Sequence, residues 1–156
     1  MIQPAGAGST TGENMFKKLA TAISVCVLLP ICAADAKGPV YFEHHPSEPA
    51  VRPDLARIYF YRPMSALGGA EQPYITVDGY GVGVSRAGRY FYYDFPAGTH
   101  VVRVQNLIVG RATLSLTAGQ TVFVRFLMHH FVPELVSADL GQAEIKDCYF
   151  DDDGMN

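Results

Sequence analysis

The sequence predicts an all-β protein: a single antiparallel β-sandwich of about seven to eight strands, immunoglobulin-like or transthyretin-like, preceded by a signal peptide. Three observations carry this. From Leu55 onward the chain runs in short segments rich in Val, Ile, Tyr and Phe, each bounded by Gly, Pro or Asp-Gly. Within several of them apolar and polar residues alternate, as they do in strands with one buried face. No window carries a sustained helical period.

The amino end reads as targeting. Lys17-Lys18 precede an uncharged run of 16 residues, Leu19–Ala34, closed by Ala34-Asp35-Ala36. Basic residues, an apolar core and a small-x-small site are the parts of a secretory signal peptide. The run is shorter than the roughly 20 residues a spanning helix needs, and Pro30 interrupts it. Residues 1–36 are therefore expected to be removed; residues 1–14 are polar and Gly-rich, which moves the biological start to Met15 or else leaves a long n-region. Lipidation of Cys32 is the competing outcome. Lipid attachment wants a small residue before the cysteine, and Ile31 is bulky and β-branched. Cys26 and Cys32 lie in this segment, so a mature chain has Cys148 alone. The core, not a disulfide, must then hold the domain.

Residues 37–54 hold Pro39, Pro46, Pro49 and Pro53 together with His44-His45, and read as an extended spacer. The domain proper is expected over 55–147, and 148–156 as an acidic tail in which Asp151-Asp152-Asp153 is solvated. Strands are expected at 56–62, 73–77, 80–84, 89–95, 100–106, 112–117, 121–128 and 134–139. Asp78-Gly79 between Val77 and Tyr80 is a two-residue hairpin turn, since both central residues of a type I′ turn need positive φ. Pro96-Ala97-Gly98 fits a three-residue hairpin corner, with Asp94 and His100 at its rim, and Ala118-Gly119-Gln120 plays a similar part.

These turns set registers. A two-residue turn places Ile75 opposite Val82 and Tyr74 opposite Gly83. A four-residue loop, Ser85–Gly88, places Val82 opposite Phe91, Gly81 opposite Tyr92 and Gly83 opposite Tyr90. One face of the resulting three-stranded meander is Ile75, Val77, Val82, Phe91, Tyr93 and Phe95, a core face. The other is Tyr74, Thr76, Gly81, Gly83, Tyr90, Tyr92 and Asp94. Later strands complete the core with Val102, Val104, Leu114, Leu116, Val122, Val124, Phe126 and Met128, alternating with residues such as Arg103, Thr113, Arg125 and His129 on a wet face.

Tyr59-Phe60-Tyr61-Arg62-Pro63, Ile75-Thr76-Val77-Asp78-Gly79, Phe95-Pro96-Ala97-Gly98-Thr99-His100 and Thr117-Ala118-Gly119-Gln120 together resemble an uncharacterised family of bacterial envelope proteins. That family is a small β-sandwich domain carried by secreted proteins and lipoproteins, and the likeness spans about residues 55–145. The resemblance implies a cell-envelope or periplasmic location and no known catalysis. Ile31 departs from its lipoprotein members.

Composition narrows the chemistry. A formal charge of −3 with no Lys/Arg cluster excludes a nucleic-acid footprint. His44-His45 and His129-His130 are adjacent pairs, whereas strand ligands sit at i and i+2, so no metal site and no cofactor is expected. Gly83–Gly88 is one residue too long for a nucleophile elbow, and Gly79-x-Gly81-x-Gly83 opens no helix. The reading that remains is a non-enzymatic exported envelope module, structural or protein-interacting, with an envelope protein or a glycan as partner. The alternative is a glycan- or peptide-binding module on the face of Tyr74, Tyr90 and Tyr92, with Thr76 and Asp94 as polar neighbours.

Overall fold

The strand-forming runs become nine strands among the described residues, which in this computed structural model are 39–65, 70–105, 110–127 and 132–152. The predicted leader, Met128, His129, His130 and residues 153–156 lie outside them. The chain divides into Met1–Ala34 and Asp35–Asn156, and all described residues belong to the second unit. The strands are β1 (Leu55–Arg62), β2 (Tyr74–Val77), β3 (Tyr80–Val84), β4 (Arg89–Pro96), β5 (Gly98–Val104), β6 (Arg111–Leu116), β7 (Thr121–Phe126), β8 (Pro133–Val136) and β9 (Tyr149–Phe150). Two helices join them, α1 (Tyr41–His44) and α2 (Ala138–Ile145). None of the described helices is long and apolar enough to cross a membrane.

Two sheets form an all-β sandwich. Sheet A has the order β8-β7-β1-β4-β9 and sheet B the order β3-β2-β5-β6. Between them lie Ile58, Phe60, Ile75, Val77, Phe91, Val102, Leu114, Val124 and Phe126, all buried in one core. Burying each such side chain stabilises by roughly 1.5–3 kcal/mol. Most pairs are antiparallel, but β1–β7 and β4–β9 run parallel. The turn before β7 explains the first. Gly119 N–H donates to Leu55 O at 2.7 Å and Arg57 N–H to Gln120 O at 2.9 Å, which seats the start of β7 beside the start of β1.

The expected meander of β2, β3 and β4 does not form. Asp78 (φ 53) and Gly79 (φ 88) do make the left-handed pair of a two-residue turn. Beyond it a bulge intervenes: Thr76 faces Gly81, but Ile75 faces Gly83 and Tyr74 faces Val84. The chain then leaves sheet B through Ser85–Gly88, and β4 pairs with β1 along all eight of its positions, Phe91 opposite Phe60 and Tyr92 opposite Tyr59. Phe60 and Phe91 stack with centroids 5.2 Å apart. Cross-strand aromatic pairs of this kind stabilise a sheet, and β3, with glycines at 81 and 83, offers only Tyr80, which is exposed beside the turn. The inward set Ile75, Val77, Val82 and Phe91 is nevertheless buried in one core, with Tyr93 and Phe95 packed against it, because β3 and β4 meet it from opposite sheets.

Pro96-Ala97-Gly98 is likewise a crossing from sheet A to sheet B and not a hairpin. Asp94 turns away from it. His100 contacts Asp78 Oδ2 through Nδ1 at 2.7 Å and Pro96 O through Nε2 at 2.9 Å, tying the crossing to the β2–β3 turn.

Three further expectations give way. Residues 134–139 are not one strand: Ser137 caps α2, its hydroxyl accepting from Leu140 N–H, and Asp139 in the first turn favours the helix. The Pro-rich stretch is not a free spacer from Val40 to Glu48. Tyr41 N–H donates to Cys148 O at 2.9 Å and Val40 bridges Tyr149. Nor are residues 148–151 a solvated tail, since Cys148 and Asp151 are buried. Asp151 takes both Arg86 Nη1 contacts, at 2.7 and 2.8 Å.

Candidate functional site

These two chain segments cover the outer face of sheet A, where sequence reasoning expected water. On β1 the side chains of Ala56, Ile58 and Phe60 point into the sandwich. Arg57, Tyr59 and Tyr61 point outward, yet all are buried. They meet Tyr41, Tyr90, Phe123, Ile145 and Cys148 in a second cluster, flanked by Tyr92, Val136 and Phe150. The continuous run Tyr59-Phe60-Tyr61 was the available signal, because a strand buried on both faces loses its alternation.

Within this layer sits a polar constellation centred on Glu48. Its side chain is 1% exposed. Oε1 meets His44 Nδ1 at 3.2 Å and accepts from Tyr90 Oη at 3.4 Å. Oε2 accepts from the Tyr59 hydroxyl, from Arg57 Nη1 at 3.4 Å, and meets His45 Nδ1 at 3.1 Å. Arg57 in turn donates to Asp94 through Nε at 2.7 Å and Nη2 at 3.0 Å, and its guanidinium lies 4.1 Å over the Tyr92 ring. Arg57 and Asp94 are direct cross-strand neighbours, so β1 and β4 position the pair by register alone. The turn after α1 then swings Glu48 onto it.

The electrostatics follow from burial. Desolvation, then the Glu48 carboxylate, pushes Tyr59 and Tyr90 well above the ordinary phenol range. Desolvation disfavours charge on Arg57 too, but hydrogen bonds to Asp94 and Tyr59 outweigh it and hold the guanidinium firmly charged. A second carboxylate, Glu144 of α2, accepts from Tyr61 Oη at 2.7 Å and Arg125 Nη1 at 2.6 Å, while Arg125 Nη2 reaches Glu134 at 2.9 Å. Burial first, then Glu144, raises Tyr61 in the same way. Cys148 is pushed up to about 12, by burial and then by Asp147 and Glu144, so its thiol is a poor nucleophile and a poor bridge-former.

The tyrosine set expected to share one face is divided. Tyr90 and Tyr92 lie opposite Tyr61 and Tyr59 on sheet A, not opposite glycines, and Asp94 is taken by Arg57. Tyr90 is buried and Tyr92 half-buried under Phe150. Tyr74 and Thr76 lie on sheet B, with Tyr74 58% exposed. Glu48 and Arg57 were not singled out from sequence, and His44-His45 were weighed only as metal ligands and set aside. Only the tertiary fold brings them together, across a separation of 46 residues between His44 and Tyr90. Among the described residues no group of three or more His, Cys, Asp or Glu is placed to hold a metal ion.

With the geometry in view, comparison with known proteins gives one match. A family model described as "Protein of unknown function (DUF2846)" covers residues 52–138. The chain belongs to this family. No curated protein and no solved structure matches it. The DUF2846 match runs from just before β1 to the first residue of α2. Arg57, Tyr59, Tyr90, Tyr92 and Asp94 thus belong to the matched DUF2846 segment, whereas Glu48, His44 and His45 come from the stretch before it.

The buried phenols make the DUF2846 domain alkali-sensitive. A tyrosine whose neutral form the fold favours contributes stability that is complete below its ordinary pKa of about 10 and is lost as pH rises beyond it. We expect the absorbance of Tyr59, Tyr61 and Tyr90 as tyrosinates to appear only together with loss of β circular dichroism above about pH 10. Full ionisation of all the tyrosines with the β signal intact would refute their placement.

Proposed function

We propose that this protein is a non-catalytic module of the bacterial envelope, exported after removal of its leader, whose β-sandwich has a structural or protein-interaction role. The observation that supports it is where Glu48 directs its chemistry. All of its contacts in the structure come from the chain's own Arg57, Tyr59, Tyr90, His44 and His45. A general acid or base needs a reachable proton on a substrate. Here the carboxylate binds the segment before the sandwich to sheet A, so the constellation is a clasp. Export is supported by the order Lys17-Lys18, apolar run, Ala34-Asp35-Ala36.

Intact mass of the protein from a periplasmic extract tests the reading. The expected species begins at Lys37. A chain beginning at Cys32 with added acyl mass would make it lipid-anchored, and full-length protein confined to the cytoplasm would overturn export.

A further inference from the structure

Each sheet sets one pair of arginines directly opposite each other, Arg62 with Arg89 on sheet A and Arg103 with Arg111 on sheet B. Arg62 is buried, whereas both members of the second pair are exposed. On and beside sheet A, Arg57 holds Asp94, Arg125 holds Glu134 and Glu144, and Arg86 holds Asp151. On sheet B, Arg103 and Arg111 stand directly opposite each other in the β5–β6 register. Both are exposed, and neither has an ion pair among the described residues. Like charges directly opposite on a sheet are destabilising. Their own strands and the neighbouring strands of sheet B supply no acid. β2, β3, β5 and β6 contain no Asp or Glu, and from Gly79 to Pro133 the one acidic residue is Asp94, on the other sheet. Asp78, in the β2–β3 turn, has its oxygens taken by Val101 N–H at 2.8 Å and His100 at 2.7 Å.

The surroundings of the pair are flat and hydroxylic. Val102 and Val104 face the core, so Arg103 faces out, between Thr76 on β2 and Arg111 on β6. Gly81 continues the row on β3, and exposed Thr113 and Ser115 extend it along β6. The Tyr74 ring stands free at the start of β2. Unlike sheet A, this face has no helix over it among the described residues.

We propose that this outer face of sheet B is a docking surface for an anionic saccharide chain bearing carboxylates. The proposal rests on the envelope-module reading and goes beyond it by naming a saccharide, not a protein, as the bound partner. Opposed strand residues lie about 5 Å apart at Cα, so the two guanidinium forks can take adjacent carboxylates bidentately. Threonine and serine hydroxyls suit sugar hydroxyls, and Tyr74 offers a ring face for stacking. An added peptide strand fits less well, because β8 packs beside β6 at the edge nearest the arginines. A membrane surface fits less well too, since among the described residues the outward neighbours of the arginines are Gly81, Thr76, Thr113 and Ser115, with half-buried Val101 the one aliphatic side chain.

Calorimetric titration of the exported protein with oligogalacturonate tests this, against a neutral cello-oligosaccharide of equal length, a poly-glutamate peptide and phosphatidylglycerol vesicles. Expected are binding of oligogalacturonate that weakens with salt, and at least a tenfold loss in both Arg103→Gln and Arg111→Gln. Melting temperatures of the two variants should be unchanged or higher, because the like-charge contact is relieved. Tyr74→Ala should weaken binding while leaving its salt dependence in place. The proposal is overturned by absence of oligogalacturonate binding, by equal binding of the neutral sugar, by tighter binding of poly-glutamate or vesicles, or by arginine variants that bind like wild type. Export is read separately by mass, so an exported protein that ignores oligogalacturonate removes the saccharide and leaves the envelope reading standing.

Discussion

Glu48→Ala is expected to destabilise the domain by about 3–5 kcal/mol, the usual cost of removing one partner from a buried ion-pair network. Against a total stability of roughly 5–15 kcal/mol this is a large fraction. Arg57 keeps Asp94, so most of the loss falls elsewhere. The buried Tyr59 and Tyr90 hydroxyls lose a carboxylate acceptor and are left with the ring nitrogens of His45 at 2.9 Å and His44 at 3.0 Å, so what is lost is the stronger, charge-assisted hydrogen bond. Urea unfolding measures the effect. A double-mutant cycle with Tyr59→Phe should show strong coupling, because the second change removes the donor whose carboxylate acceptor the first one takes away. The segment from Val40 to Glu48 should also become cleavable by protease before global unfolding, since it loses its charged anchor and keeps a few backbone bonds, the Tyr41 ring and the contacts of His44 with Tyr90 and Phe150 and of His45 with Tyr59. A loss below about 1 kcal/mol with no coupling would mean that Glu48 is solvated and the clasp is absent.

Gly141→Ala should destabilise as well, and here local propensity and packing predict opposite signs. In a helix interior, Ala is better than Gly by about 1 kcal/mol. In the fold, a Cβ at Gly141 would stand 2.3 Å from Phe123 Cγ and 2.5 Å from its Cβ. The ring cannot retreat, because its other side stacks on Tyr59 with centroids 5.2 Å apart. Overpacking of this kind costs about 3 kcal/mol, leaving a net loss of about 2 kcal/mol. Thermal or urea unfolding checks the sign. Shrinking the obstacle, as Gly141→Ala with Phe123→Val, should recover part of the loss relative to the sum of the two single changes. A stabilised Gly141→Ala would place α2 away from β7.

The strands were legible because each is a local event. Residues 80–84 were expected as a strand and form one, 56–62 differs from β1 by one residue, and β7 ends at Phe126, with the last expected residue, Met128, outside the described residues. Turn chemistry was equally local: Asp78 and Gly79 take the left-handed conformations that a two-residue connection demands. Even the inward face of β4 could be read, since Phe91 and Phe95 share a side by alternation, whatever strand lies next to them. The helix at 138–145 had a legible start, Ser137 with Asp139 behind it, but its eight residues include Gly141 and show no apolar stripe to announce it.

Which strands are neighbours was not legible. Ser85–Gly88 closes a hairpin or crosses between sheets with the same residues, and only the eight-position match of β4 to β1 chose the crossing. That choice sent Tyr90 and Tyr92 to one outer face and Tyr74 and Thr76 to the other. It also decided that Arg57 would find Asp94 and Glu48, while Arg103 and Arg111 would stand opposite each other. The sequence by itself determined the strands, their turns and which side chains face inward, because these depend on residues adjacent along the chain. The tertiary structure alone decided which sheet is covered and which charges are neutralised, because both depend on contacts between segments tens of residues apart, whose closure no local pattern records.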